Sequence, residues 1–332
     1  MVARGIFMTG LSDSFQRPIN YLRISVTDRC NLRCVYCMPE EGVTLLSHKD
    51  ILAYEEIYTV VKVAAGMGIN KVRLTGGEPL VRLGLADLVK MLASIKGIDD
   101  LSLTTNGILL AEHAATLKKA GLRRVNVSLD TLRPERFRRI SRCGDLEDTL
   151  KGIAAAHAVG LEPVKINMVV MAGVNDDELL NFARKTIDDG WHVRFIEHMP
   201  VTGDASINLV TVKDMKKSLD VLGKMEPIKM AVGNGPAKYY RFPGAKGTIG
   251  FITPVTEHFC YQCNRLRLTA DGKLRPCLLS EEEIDLREAL RSGATSDELK
   301  SLIEKAIACK PERHYLTEGK KPNGRPFSQV GG

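Results

Sequence analysis

Two groups of three closely spaced cysteines are the residues of this sequence best suited to chemistry. They lie in TDRCNLRCVYC and in HFCYQCNRLRLTADGKLRPC, and they are Cys30, Cys34 and Cys37 in the first group and Cys260, Cys263 and Cys277 in the second. Such C-x-x-C spacing favours metal ligation over disulfides in a reducing compartment. Structural zinc sites and iron–sulfur clusters normally take four protein ligands. A triplet therefore predicts an iron with one position open to another ligand.

Other ligand sets stay open at this point for both triplets. His48 is a candidate fourth ligand for the first triplet. The second triplet has C-x2-C-x13-C spacing with Asp271 and His258 nearby, which also fits a zinc ribbon. The two remaining cysteines, Cys143 and Cys309, are interpreted as small semi-buried apolar residues without chemistry.

Composition indicates a globular chain that binds a small anion. The 332 residues are 44% hydrophobic, which is enough for one large or two smaller domains. A net charge of +7, from 47 basic and 40 acidic residues, is too balanced for a nucleic-acid coat protein and suits an anionic small substrate. We find no cleavable leader and no long apolar segment, so we expect a cytoplasmic protein with no nucleic-acid or membrane partner.

The apolar periodicity predicts alternating strands and helices, and hence a mainly parallel sheet. Predicted strands cover 22–26, 71–76, 101–105, 124–130, 163–170 and 192–197. Predicted helices cover 54–67, 84–96, 111–120, 146–159 and 176–189.

Polar residues inside these strands help to choose between sheet architectures. Lys165 and Asn167 share one face of their strand, while Val164, Ile166 and Met168 share the other. A polar inward face is costly unless it lines a ligand cavity. The sequence therefore favours a partial (β/α)6 barrel around a large substrate, and edge strands with solvated polar faces are the alternative.

The pattern changes after residue 205, where a helix near 211–222 is followed by the short strands AKYYRF and GTIGFI. Two further helices are predicted at 284–292 and 296–308. We expect a barrel domain over 1–205 and a smaller α+β domain over 206–332, which carries the second triplet and a Gly-Gly tail.

CNLRCVYC resembles the signature of the radical S-adenosylmethionine (SAM) superfamily, and TGGEPL at 75–80 resembles its second hallmark. From the residues alone, two glycines that end a strand let the backbone approach a ligand closely. The resemblance implies a [4Fe–4S] cluster on Cys30, Cys34 and Cys37, with SAM on its fourth iron. It also implies a partial (β/α)6 barrel and cleavage of SAM to a 5′-deoxyadenosyl radical.

The whole chain, from YLRISVTDRCNLRC to the terminal GG, is similar to one family of this superfamily. Its members are lyases that convert GTP to (8S)-3′,8-cyclo-7,8-dihydroguanosine 5′-triphosphate, the first step of molybdenum cofactor biosynthesis. The resemblance implies a second [4Fe–4S] cluster on the second triplet, with its open iron facing guanine. It also implies that Gly331 and Gly332 enter the active site. Gln16 and Phe327 depart from the pattern, which usually has glycine and methionine there.

The resemblance also assigns ligand-binding residues. The residues assigned to SAM are Tyr36, Gly77, Ser128 and Met199, and those assigned to GTP are Arg23, Arg73, Thr104, Lys165, Arg265, Leu266 and Arg267. Arg265 and Arg267 share one strand face, and two guanidinium groups suit a triphosphate. Leu266 points the other way, so we expect backbone contacts from it. Arg265 and Arg267 are also the candidate catalytic residues, because they could polarise the intermediate.

In the implied reaction the radical abstracts the ribose 3′ hydrogen and the carbon radical attacks C8 of guanine. The implied partners are an electron donor of the flavodoxin or ferredoxin type, the downstream cyclic pyranopterin monophosphate synthase and a second copy in a homodimer.

Two other functions compete. One is a peptide-maturing radical SAM enzyme with an auxiliary cluster, for which no peptide-binding module is found. The other is a zinc-ribbon nucleic-acid-binding protein, which would need stacking aromatics that a 5% aromatic content hardly supplies.

Overall fold

All strands of the described residues belong to one continuous sheet. The structure is a computed structural model that describes residues 10–201, 208–230, 235–318 and 325–331. The strands are β1 Tyr21–Ser25, β2 Lys71–Thr75, β3 Asp100–Thr105, β4 Arg124–Ser128, β5 Lys165–Val170, β6 His192–Glu197, β7 Glu226–Ile228, β8 Lys238–Arg241, β9 Thr248–Ile252, β10 Arg265–Leu268, β11 Lys273–Arg275 and β12 Ile284–Asp285. The helices are α1 Tyr54–Gly66, α2 Leu85–Ala93, α3 Leu110–Ala120, α4 Pro134–Ser141, α5 Leu146–Ala158, α6 Leu179–Asp188, α7 Val212–Leu219, α8 Arg287–Arg291, α9 Ser296–Ala308 and α10 Phe327–Val330.

The predicted partial (β/α)6 barrel is confirmed. Strands β1 to β6 lie side by side in chain order, each parallel to the next. One predicted helix separates each pair of strands, because parallel neighbours need a crossover connection. The connection between β4 and β5 holds a second helix, α4, which the sequence analysis missed because its eight residues, PERFRRIS, are mostly polar.

Strands of the C-terminal region extend the barrel at both edges. Strand β9 pairs with β6 and β10 pairs with β1, both in parallel, so eight adjacent strands run in the same direction. Strands β8 and β7 continue antiparallel beyond β9, and β11 and β12 continue beyond β10. The sequence predicted this region as a smaller α+β unit but did not predict that it extends the barrel sheet at both edges. The boundary at residue 205 lies outside the described residues.

The helix predicted at 284–292 is wrong in its first part. Ile284 pairs with Leu274 in the two-residue strand β12, and the helix α8 begins only at Arg287. Ile284 is buried, so its pairing at the sheet edge overrides the helical pattern of the following residues.

The alternation predicted for β5 is confirmed. Ile166 and Met168 are buried in the apolar core, and Lys165 and Asn167 face the barrel interior. The outer face is covered by the helices, where large side chains such as Phe182 are fully buried. Burial of each such side chain stabilises the fold by about 1.5–3 kcal/mol. The apolar core can therefore offset the cost of cations in the barrel interior. No helix in the described ranges has the length and apolar character needed to cross a bilayer.

Candidate active site

A single cavity runs through the barrel interior. On β4 it is lined both by Arg124, the first residue of the strand, and by Ser128, the last. The predicted site residues that line it are Arg23, Cys30, Cys34, Tyr36, Cys37, Arg73, Gly77, Thr104, Ser128, Lys165, Met199, Cys260, Cys263, Arg265, Arg267 and Cys277. Leu266 is the exception. Its side chain is buried in the core on the opposite face, which leaves only its backbone toward the cavity.

The topology places the two cysteine triplets at opposite ends of this cavity. The first triplet follows the carboxyl end of β1. The second triplet lies around the amino end of β10, because Cys263 precedes that strand and Cys277 follows the antiparallel strand β11. Since β10 pairs with β1 in parallel, the carboxyl end of β1 and the amino end of β10 lie at opposite ends of the barrel. Whatever binds between the triplets therefore sits inside the barrel.

The loop of the first triplet is held by the end of α4. The backbone N–H groups of Arg33 and Val35 donate to the carbonyls of Ser141 and Ile140 at 2.9 and 3.0 Å. The guanidinium of Arg142 donates to the carbonyls of Arg33 and Met38 at 3.0 and 2.9 Å. Helix α4, which the sequence analysis missed, therefore fixes the cluster loop.

The TGGEPL glycines pack the backbone against this loop, a role that the sequence analysis did not give them. A Cβ at Gly76 would clash with the carbonyl oxygen of Thr27, and one at Gly77 with that of Arg29. The N–H of Gly77 donates to the Thr27 carbonyl at 2.8 Å. Gly77 still lines the cavity, so a contact with SAM stays a prediction.

Glu78, which the sequence analysis did not select, joins the carboxyl ends of β2 and β3. Its carboxylate accepts hydrogen bonds from the Thr105 hydroxyl at 2.8 Å and from the N–H groups of Asn106 and Leu80 at 2.7 and 3.0 Å. Burial raises the pKa of Glu78 to about 7, although these three hydrogen bonds lower it. Its position directly after the two glycines could have identified it.

The chemistry of the first triplet fits an iron–sulfur cluster. Burial and the neighbouring thiols raise the pKa of Cys34 well above its usual value. Burial also raises the pKa of Cys30 to about 11, and burial with Cys30 and Asp130 raises that of Cys37 to about 12. Three thiolates at this place need a compensating positive charge, which cluster iron would supply. His48 does not line the cavity; its ring is exposed, 3.4 Å from the Arg29 guanidinium.

Tyr36 and Asp130 connect the cluster loop to β4 and β5. The Tyr36 hydroxyl donates to the Asp130 carboxylate at 2.8 Å, and the N–H of Val169 donates to its other oxygen at 2.8 Å. Burial raises the pKa of Asp130 to about 6, although both hydrogen bonds lower it. Asp130 lies two residues after Ser128 at the carboxyl end of a parallel strand, where α/β proteins usually bind ligands, and this signal could have identified it.

The second triplet lies among hydrogen-bond donors. The N–H of Leu279 donates to the Cys277 thiol at 3.4 Å, and the backbone of His314 and of Arg265 favours the thiolate forms of Cys260 and Cys263. Burial raises the pKa of Cys263, but Arg265 and Lys310 outweigh it and lower this pKa to about 6. Such N–H···S bonds are typical of iron–sulfur ligands.

The other two proposed zinc ligands, Asp271 and His258, do not line the cavity. Asp271 forms an ion pair with Arg325 at 2.9 Å, and the ring of His258 packs edge-on against His314 at 5.6 Å. Within the described ranges, no three His, Cys, Asp or Glu side chains have the spacing of a single metal ion.

The middle of the cavity is strongly cationic. Burial lowers the pKa of Lys165 to about 6, with repulsion from Arg194 and Arg124. Burial also lowers the pKa of Arg73 and that of Arg267 to about 10 each, and that of Arg23 well below its usual value. The sequence analysis did not include Arg124 or Arg194, although both lie on the inward face of their strands.

Several neutral polar atoms also face this region without a hydrogen-bond partner among the described residues. They include the Oγ1 of Thr104 and the Oδ1 of Asn167. The Nε of the Arg194 guanidinium is also buried and has no hydrogen-bond partner among the described residues. Buried polar atoms are normally paired, so these atoms indicate a ligand. A crowded set of cations with such atoms is suited to a polyanion with polar groups attached.

The described C-terminal residues lie against the cavity, and the entry of Gly331 and Gly332 into the active site stays a prediction. The Arg267 guanidinium donates to the carbonyl of Gly331, and Phe327, the first residue of α10, lines the cavity. Gly332 lies outside the described residues. Of the remaining cysteines, Cys143 is exposed rather than semi-buried.

Comparisons with known proteins agree with this geometry. Residues 24–186 match the Radical SAM superfamily, and residues 191–316 match the family described as Molybdenum Cofactor Synthesis C. The chain is 54% identical to a GTP 3′,8-cyclase of Pelotomaculum thermopropionicum over 326 residues, which cover 97% of this chain and 100% of the relative. It is 51% identical over 325 residues to a GTP 3′,8-cyclase of Moorella thermoacetica, with the same coverage.

Solved structures give the fold independently. Streptococcus suis SuiB bound to S-adenosylmethionine aligns with a TM-score of 0.61 at 14% identity, covering 95% of this chain and 76% of that one. At this identity the similarity shows the shared fold alone. The family is given by the sequence matches, which extend over nearly the whole chain: this chain belongs to the GTP 3′,8-cyclase family of the radical SAM superfamily.

Proposed function

We propose that the protein is a radical SAM lyase that converts GTP to (8S)-3′,8-cyclo-7,8-dihydroguanosine 5′-triphosphate for molybdenum cofactor biosynthesis. The observation that carries the proposal is the convergence of two cysteine triplets and a cationic wall on one cavity. When bound, the first cluster and SAM would supply a 5′-deoxyadenosyl radical that takes the 3′ hydrogen from the ribose and leaves its carbon to bond to C8 of guanine.

The first triplet, Cys30, Cys34 and Cys37, would hold the SAM-binding cluster. Tyr36, Gly77, Ser128 and Met199 would contact SAM at the carboxyl ends of the strands. These residues lie on different loops and strands but line the same end of the cavity. Enclosure by the barrel would keep water away from the radical.

The cations further inside would bind the triphosphate. A GTP triphosphate carries about four negative charges, and Arg23, Arg73, Lys165, Arg265 and Arg267 supply matching charge. The Thr104 hydroxyl, whose oxygen has no partner among the described residues, would donate to GTP. Backbone groups of Leu266 complete this set.

The second triplet, Cys260, Cys263 and Cys277, would hold a second [4Fe–4S] cluster whose open iron faces guanine. Arg265 and Arg267 follow Cys263 on β10 and line the cavity, and they would polarise the cyclised base as it accepts an electron and a proton. This is the catalytic role we assign to them.

The same proposal includes the partners, the cellular location and the domain division of the protein. A flavodoxin or ferredoxin would donate electrons, cyclic pyranopterin monophosphate synthase would consume the product, and the protein would act as a cytoplasmic homodimer. Residues 1–205 would form the SAM-binding unit and residues 206–332 the unit with the second cluster.

The decisive experiment is anaerobic incubation of the cluster-loaded protein with dithionite and SAM, with and without GTP, while 5′-deoxyadenosine is measured by chromatography. We expect its formation to depend strongly on GTP and to be lost in Cys34→Ala. Cys309→Ala, outside both triplets, is the matched control and should retain activity.

Other outcomes would redirect the assignment. Deoxyadenosine formation that is indifferent to GTP would keep the radical enzyme and discard GTP as its substrate, which would favour peptide maturation. A colourless anaerobic preparation with zinc and no iron would favour the zinc-ribbon alternative.

A further inference from the structure

Lys310 is a buried lysine beside the second triplet, and the proposed reaction gives it no role. It is only 3% exposed. Its Nζ donates to the backbone carbonyls of Arg265 at 2.9 Å and Pro276 at 2.6 Å, and the thiol of Cys263 lies close to it. Because Pro276 immediately precedes Cys277, one ammonium group connects the segments that carry two of the three cysteines.

The segment that begins at Lys310 is itself fixed against the triplet. The carbonyls of Pro311 and Glu312 accept hydrogen bonds from Arg17, each at 2.7 Å. The same guanidinium donates to the carbonyl of Cys260 at 2.8 Å and forms an ion pair with a buried aspartate, Asp13. Lys310 is therefore anchored at both its backbone and its Nζ.

The charge of Lys310 has no carboxylate partner in the parts of the chain that the structure describes. Its hydrogen bonds go to two backbone carbonyl oxygens. A buried cation is costly without a nearby anion. Cysteine thiolates of an iron–sulfur cluster would supply that anion, and hydrogen bonds and positive charge at the sulfurs favour the reduced cluster, which carries one more electron.

We propose that Lys310 is a positioning residue for the second cluster, which joins the segments carrying Cys263 and Cys277 and raises the reduction potential of the cluster through its positive charge. The inference rests on the proposed function, since it requires the second triplet to hold a cluster.

The test uses the full-length chain with Cys30, Cys34 and Cys37 all replaced by Ala, so that iron and EPR signal report only the second cluster. In this parent, Lys310→Met removes the charge and Lys310→Arg keeps it. Lys305→Met, an exposed lysine on α9, is the matched control. Iron per chain and the midpoint potential from EPR-monitored redox titration are measured after anaerobic reconstitution.

We expect Lys310→Met to bind less iron and to shift the midpoint potential of the remaining cluster to more negative values. Lys310→Arg should stay close to the parent, and Lys305→Met should match it. Complete loss of iron in Lys310→Met with retention in Lys310→Arg would also support the proposal.

Equal iron content and potential in Lys310→Met and the parent would overturn the proposal. So would a Lys310→Arg variant that matches Lys310→Met, or loss of folded secondary structure in both variants. A parent that binds no iron would instead contradict the proposed second cluster, so the two failures are distinguishable.

Discussion

The hydroxyl of Tyr36 donates a 2.8 Å hydrogen bond to the carboxylate of Asp130. Tyr36 lies between two cysteines of the first triplet, whereas Asp130 follows β4, so this bond ties the cluster loop to the barrel. The N–H of Val169 on β5 holds the second carboxylate oxygen at 2.8 Å. One side chain thus fixes the orientation of the tyrosine that is predicted to contact SAM.

We expect Asp130→Ala to weaken SAM binding by about 10- to 100-fold, because a hydrogen bond to a charged group is worth about 1.5–3 kcal/mol. Asp130→Asn keeps one acceptor oxygen, which can serve Tyr36, but loses the acceptor for the Val169 N–H, so it should cost less than Asp130→Ala. Isothermal titration of SAM into the cluster-loaded variants measures both. Equal losses in the two variants would show that the charge of Asp130, rather than its hydrogen bond, matters.

GTP binding should be accompanied by proton uptake at Lys165. Burial lowers its pKa from 10.5 to about 6 in the ligand-free fold, so at pH 8 the side chain is mostly neutral. A triphosphate beside it favours the ammonium form and raises this pKa, which draws in up to one proton. Calorimetry in two buffers of different ionisation enthalpy gives the proton count.

The control for this uptake is Lys165→Arg, whose guanidinium is expected to be largely charged already, and Lys165→Met removes the titrating group. Both should bind GTP with less proton uptake than the original chain at pH 8. The same uptake in all three proteins would assign the proton to another group. Since the pKa is lowered on folding, the ligand-free protein should also gain stability as pH rises from about 6 toward 10.

Gly77→Ala should prevent the cluster loop from packing. Its Cβ would clash with the Arg29 carbonyl, a backbone atom that cannot move aside without moving the loop. Overpacking of this kind costs about 1–3 kcal/mol, and we expect loss of iron from the first triplet. Gly66→Ala, in α1, meets no atom within 4 Å and should keep full iron content. Iron analysis after reconstitution of both variants checks this, and full loading of Gly77→Ala would contradict it.

The sequence predicted the barrel and most of the cavity because both depend on short-range patterns. Alternation in β5 placed Lys165 inward, and C-x3-C-x2-C spacing identified the first triplet. Contacts such as that between Tyr36 and Asp130 join residues far apart in the chain, and no local pattern reports them.

The pairing of β10 with β1 could not be predicted for the same reason. These strands are separated by most of the chain. No short turn connects them, so no local sequence signal specifies which residues pair. Lys310 is a further case, since it follows α9 and looks like any lysine near a helix end until the fold buries it against the second triplet.

The departure at Gln16 gives a test of stability. Its φ is 61°, in the left-handed region that favours glycine, and it precedes Arg17, which holds Cys260. The left-handed conformation costs a non-glycine residue about 1–2 kcal/mol of folded-state stability. Glycine avoids this strain but makes the unfolded chain more flexible, which lowers the free energy of unfolding by about 0.4–1 kcal/mol. We therefore expect Gln16→Gly to raise the free energy of unfolding by up to about 1 kcal/mol. Gln16→Ala keeps the strain and should give no such gain in denaturant titration; an equal gain in both variants would mean that the side chain, not the backbone angle, is responsible.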